Sequence, residues 1–276
     1  MVSIIGSTVE DIVDILTTHL AFLFTFIADL IQLLLDAVLD ALFFFDPTIT
    51  IVIIALVALL ISRRLSMTIL TFAGLLVIEY MDLWTQSMHT LGLVLVSAFI
   101  ALLIGIPLGI IASKYESMNS WIKMLMDFMQ TMPSFVYLIP AVIFFGLGAV
   151  PGAVATVIFA MPPAVRLTNL GIRQVPKEMN EVADAFGCNY GQKLFKVQLP
   201  IAMPSIMAGV NQTIMLSLSM VVIAGMIGAA GLGQEILRAL SRIDVGAGFE
   251  AGLAVVILAI MLDRLSYSFS ERRQNH

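Results

Sequence analysis

The chain has 276 residues, of which 60 % are hydrophobic and only 12 % charged, with a mean hydropathy of +1.02. A soluble domain carries about 25 % charged residues, so an ordinary cytosolic enzyme is excluded and an integral membrane protein is indicated. The net charge of −5 argues against nucleic acid, and one cysteine (Cys188) with three scattered histidines (His19, His89, His276) leaves no disulfide framework, no metal site and no cofactor motif.

The first basic residue is Arg63, and seven acidic residues precede it, so the N-terminus lacks the basic region of a signal peptide. Over residues 1–46, Asp11, Asp14, Thr18, Thr25, Asp29, Gln32, Asp36 and Asp40 recur mostly at intervals of three, four or seven. That spacing predicts an amphipathic helix lying in the membrane interface, because Asp29 in lipid would cost a few kcal/mol. The alternative is that Thr18–Leu35 spans the bilayer.

Two spans are expected in residues 47–84. Pro47–Ser62 is closed by Arg63-Arg64, and Leu65–Ile78 is closed by Glu79 and Asp82 with Trp84 as anchor. A third span falls within Leu83–Ser113. A fourth and fifth share Phe128–Val165, split by Gly146-Leu147-Gly148 and Pro151-Gly152. After a polar segment, a sixth begins near Met203 and a seventh covers Glu250–Tyr267, with 271–276 as a cytoplasmic tail. The expected class is therefore an all-α membrane protein of seven spans. Placing Arg63-Arg64 in the cytoplasm puts 12 of the 14 basic residues inside, which sets the N-terminus outside and the C-terminus inside. Asp127 and Asp263 sit near inner ends, where pairing with Lys123 and Arg264 is expected.

There is no phosphate-binding G-x-x-x-x-G-K-[ST] loop, no G-x-S-x-G elbow and no H-E-x-x-H pair, so no hydrolytic chemistry is expected of this chain. The spans hold almost no ionisable residue at mid-depth, which disfavours an ion-coupled secondary carrier. Gly105-x-x-x-Gly109 reads as a helix-packing motif.

The informative segment is residues 173–200. Pro176 can open a helix, Glu178 and Glu181 suit its first turns, and Val182, Ala185 and Phe186 form one apolar stripe. Gly187 stops that helix. Gln192–Val197 reads as a second short helix, with Pro200 marking the return to the membrane. Such a helix–turn–helix projects into the cytoplasm, where its apolar stripe packs on its own bundle or docks to a cytosolic protein.

The pattern E-x-A-x(3)-G-x(9)-[IV]-x-L-P, carried by Glu181, Ala183, Gly187, Val197, Leu199 and Pro200, resembles the "EAA" coupling loop of bacterial ABC importer permeases. Val182 stands where that motif often has Ala. Residues 127–140, Phe159–Pro163, Asn211-Gln212 and Ile227–Gly233 further resemble the glycine betaine/proline permeases. The resemblance covers about residues 85–270. It implies a five-helix type I importer core in the bacterial cytoplasmic membrane, with residues 1–84 as an addition. It also implies partners: a second permease copy, two ABC ATPase subunits docked on the loop, and a separate substrate-binding protein. The implied solute is glycine betaine or a related quaternary-ammonium osmoprotectant, with carnitine, choline or proline as alternatives.

A quaternary ammonium is recognised by aromatic faces and its carboxylate by neutral donors. Gln130, Thr131, Asn211, Gln212, Ser217 and Ser219 are such donors in otherwise apolar spans, and Phe135 and Tyr137, in the same stretch as Pro133, offer π faces. Interhelical hydrogen bonding is the competing role for each of these polar side chains.

Overall fold

The computed structural model describes residues 13–274, with side chains for 13–268. Glu10, Asp11 and the end of the tail lie outside the described residues. Every regular element among them is helical: residues 13–19, then α1 Ala21–Phe43, α2 Pro47–Ser62, α3 Leu65–Tyr80, α4 Trp84–Lys114, α5 Glu116–Thr131, α6 Ser134–Phe145, α7 Ala149–Arg173, α8 Lys177–Ala185, α9 Tyr190–Lys193, a π-helical turn Leu194–Gln198, α10 Leu199–Ser219, α11 Val221–Met226, α12 Leu232–Arg242 and α13 Val245–Gln274.

The core is built on α4 and α7, which share the most extensive helix contact. Gly105 and Gly109 of α4 face Ala164 and Thr168 of α7 so closely that a Cβ on Gly109 would lie 2.6 Å from the Thr168 Cβ and 2.7 Å from the Val165 carbonyl oxygen. The expected packing role of this glycine pair is what the structure shows. Helix α10 also packs on α7, and α13 on α10. Beyond α10, the chain returns through Gly231, whose φ of 139° and contact with Thr90 leave no room for a side chain. There the Leu232 N–H donates to Thr90 Oγ1 at 2.8 Å, tying α12 to α4.

Five helical runs among the described residues are long and apolar enough to cross a membrane: Ala21–Phe43, Trp84–Lys114, Ala149–Arg173, Tyr190–Met226 and Val245–Ser268. The expected seven differ from this in three places. Helices α2 and α3 have 16 residues each and reach only about 24 Å at ~1.5 Å per residue, short of a ~30 Å hydrocarbon core. The expected fourth span is a pair, α5 and α6, bent by 99°. Pro133 has no N–H to continue α5 and forces Met132 into an extended conformation, ψ 135°. Third, α1 has the length and apolarity of a span, so the interfacial reading is not required by length. Its Ile31 and Leu35 bury against Leu93, Val96 and Ala153, while Asp29, Gln32, Asp36 and Asp40 stay on one exposed stripe.

The α4–α7 contact makes a test with an internal control. Gly109→Ala should cost ~1–3 kcal/mol through overpacking against Thr168 and lower the thermal midpoint of the detergent-solubilised chain. Gly252→Ala in α13 meets open space and should raise stability by roughly 0.5–1 kcal/mol through helix propensity. Equal effects at the two sites would contradict the close crossing.

Candidate functional site

Helix α8 has nine residues, too few to be stable alone, so its neighbours must hold it. Its end is a Schellman arrangement: the Cys188 N–H donates to the Ala183 carbonyl at 3.0 Å and the Gly187 N–H to that of Asp184 at 2.9 Å. Gly187 takes φ 73°, the left-handed conformation that arrangement needs. Asn189 then starts α9 with a reciprocal capping box, its side chain accepting from the Gln192 N–H and the Gln192 side chain accepting from the Asn189 N–H, both at 2.9 Å. Lys193 Nζ reaches both Asp184 carboxylate oxygens at 2.5 and 2.8 Å, and Gln198 Nε2 donates to Asn180 Oδ1 at 3.0 Å. These contacts lock the two arms of the loop together.

The second arm is not the separate short helix that the sequence suggested. Helical structure runs without a break from Tyr190 through the π-helical turn into α10. Pro200 cannot donate to the Lys196 carbonyl, and the widened turn, in which the Leu199 N–H bonds Leu194, accommodates the ring without ending the helix. Leu194 is buried with Ile172, Ala202 and Ile206, anchoring this arm under α7 and α10. Val197 and Leu199 are half-buried and Pro200 is exposed.

The loop's first arm turns its motif residues to different sides. Ala183 is buried. Val182 is 51 % exposed and Phe186 82 % exposed, and Ala185 lies on the same open face. Glu181 is exposed and has no partner among the described residues. An apolar stripe has thus been left uncovered on a frame cross-linked by hydrogen bonds.

The residues expected along a solute path differ in their exposure. Gln130, Thr131, Pro133, Phe135 and Gln212 are exposed, Phe135 by 52 %. Tyr137 and Ser217 are buried in the chain's own bundle; the Tyr137 hydroxyl donates to the Met129 carbonyl and Ser217 Oγ to the Thr213 carbonyl at 2.9 Å. Several of these residues also belong to charged clusters. Arg166 of α7 donates to Gln130 Oε1 and Asp127 Oδ1, both at 2.6 Å. Asp127 therefore pairs across helices rather than with Lys123, one turn back as expected, because the longer guanidinium of Arg166 reaches it from α7. Asn211 Nδ2 donates to Asp263 Oδ1 at 3.1 Å and its carbonyl oxygen accepts from Ser266. Arg264 is only a distant 3.9 Å partner of Asp263.

Sequence reading missed Arg166, Arg173 and Lys193. The first two act between helices far apart in the chain, and nothing local marks them. The capping box, in contrast, is legible as Asn189-x-x-Gln192.

The family model of the binding-protein-dependent transport system inner membrane component matches residues 105–275. The chain is 49 % identical to the glycine betaine/carnitine transport permease protein GbuB of Listeria monocytogenes, over 98 % of this chain and 97 % of that protein. It is 44 % identical to the glycine betaine transport system permease protein OpuAB of Bacillus subtilis, over 98 % and 96 % of the two chains. It is 45 % identical to the glycine betaine/proline betaine permease protein ProW of Escherichia coli, over 95 % of this chain and 74 % of ProW. The inward-facing MetNI methionine ABC transporter superposes with a TM-score of 0.62 at 19 % identity, covering 67 % of this chain and 93 % of the other, which establishes the fold. That fold implies in general a permease dimer served by ATPase subunits and a binding protein. The chain is a multi-pass membrane protein with the type I ABC importer permease fold, and it belongs to the family of binding-protein-dependent transport system inner membrane components.

Proposed function

We propose that this permease imports glycine betaine or a related quaternary-ammonium osmoprotectant, as a homodimer energised by two separate ATPase subunits and fed by a separate binding protein. The observation that carries the transport mechanism is the exposed Val182–Ala185–Phe186 stripe on a hydrogen-bonded frame. A large aromatic left 82 % exposed outside the apolar spans needs a partner, and a rigid mount lets that partner's movement reach α7 and α10. The names of the three relatives above support the solute. Carnitine is the second candidate, on the name of the Listeria relative.

In this reading the chain forms no covalent intermediate and hydrolyses nothing. ATP-driven closure of the partners moves the coupling loop, and the spans alternate between outward and inward access. Thr131, Phe135 and Gln212, open on the protomer surface, and Gln130 beside them, are the residues best placed to meet solute between two copies. Asn211, Tyr137 and Ser217 support them from within the bundle.

Reconstituted with ATPase subunits and binding protein, the permease should take up labelled glycine betaine only with ATP inside the cell-side compartment. Import of an unrelated solute without betaine competition would refute the solute assignment.

At the coupling loop, Phe186→Ala should weaken assembly with the ATPase by about 2 kcal/mol, or ~30-fold in affinity. The isolated permease should keep its thermal midpoint, because the side chain touches little of its own chain. Gly187→Val should lower solute-stimulated hydrolysis, since a β-branched residue adopts the left-handed conformation only at ~1–2 kcal/mol. Gly187→Asn should be mild, because a Cβ there meets nothing within 4 Å. If Gly187→Asn is as damaging as Gly187→Val, space and not backbone conformation limits the position.

The orientation is tested by cysteine labelling in intact cells. A probe at Ser7 should react and one at Gln274 should be protected. The reverse pattern would invert the assignment of the loop to the cytoplasm.

A further inference from the structure

The corner where α4 passes into α5 is gripped by both arms of the coupling loop. At the loop's entry, Arg173 Nη2 donates to the Ala112 carbonyl at 3.0 Å and pairs with Glu116 Oε2 at 2.7 Å. At the loop's second arm, the Tyr190 ring lies under Lys114, with Nζ 3.9 Å from the ring centroid, while the Tyr115 ring stands 4.8 Å from the same ammonium. Residues 112–116 are thus held from two places in a loop otherwise joined to the bundle through α7 and α10.

Beyond that corner, α5 is fastened along α7. Asn169 Nδ2 donates to Asn119 Oδ1 at 2.8 Å near its start, and Arg166 binds Asp127 and Gln130 near its end, both at 2.6 Å. Helix α5 then bends at Met132-Pro133 into α6, next to the exposed Thr131 and Phe135. A displacement of α9 would therefore push Lys114 and deliver motion to α5 and the bend. This path does not run through α10.

We propose that the α4–α5 corner is a second route by which coupling-loop movement reaches the solute-facing helices, with Lys114 and Tyr190 as positioning residues for the transport cycle. The inference rests on the coupling-loop reading above. It requires a cation over a π face, so the Tyr190 hydroxyl is dispensable.

The test uses the permease–ATPase complex in nanodiscs, with Cys188 replaced by serine. One reporter dye is placed on α5 through Ser120→Cys and, in a separate preparation, one on α10 through Ser219→Cys. Both residues are exposed. In the parent complex, trapping the ATPase with nucleotide should change both signals. Lys114→Met and Tyr190→Leu should cut the α5 response roughly 2- to 5-fold, the range of an exposed cation–π contact, and leave the α10 response intact. Lys114→Arg and Tyr190→Phe should restore the α5 response. An unchanged α5 response in Lys114→Met and Tyr190→Leu, or failure of Tyr190→Phe to restore it, overturns this inference alone. Silence of both reporters in the parent complex overturns the coupling-loop reading and this inference with it.

Discussion

The close crossing of α4 and α7 sets the rest of the architecture. In a bilayer, lipid solvates leucine as well as another helix does, so helices gain by bringing their backbones close and making many small contacts. Gly105 and Gly109 against Ala164 and Thr168 achieve this. With α4 and α7 drawn together, the Arg173 end of α7 comes beside the Lys114 end of α4. The helix–turn–helix segment Lys177–Gln198 leaves from one of these ends and is braced by the other.

The loop separates two jobs among neighbouring residues. Asp184, Lys193, Asn180, Gln198, Asn189 and Gln192 bond to one another, and the apolar Ala183 and Leu194 are buried in the interior. Val182 and Phe186 remain open. The short helix is pinned to the second arm at Asn180 and Asp184, while its apolar face stays open. The π-helical turn carries that shape directly into α10.

Among the described residues, several charged groups near helix ends pair across helices. Arg166 with Asp127, Arg173 with Glu116, and Asp263 with Asn211 each join two helices. An unpaired charge near lipid is costly, so such groups persist where a partner on a neighbouring helix satisfies them. This is also why Gln130 and Asn211 cannot be assigned to solute alone: each already serves a charged neighbour.

Local patterns were sufficient for much of this protein. The composition identified a membrane protein, and the positions of Pro47, Arg63-Arg64 and Lys114 marked the limits of α2 and α4. Residues Glu181 to Gly187 carried the first helix of the loop, its stop and its apolar stripe in their spacing, because these are properties of consecutive residues. Only the tertiary structure decided that Pro133 bends one expected span by 99°, that helical structure continues past Pro200, and which residues pair. Proline either breaks a helix or is absorbed by a widened turn, and neighbouring packing selects between them. Pairing partners such as Arg166 and Asp127 lie 39 residues apart, so no local pattern could join them until α5 and α7 lay side by side.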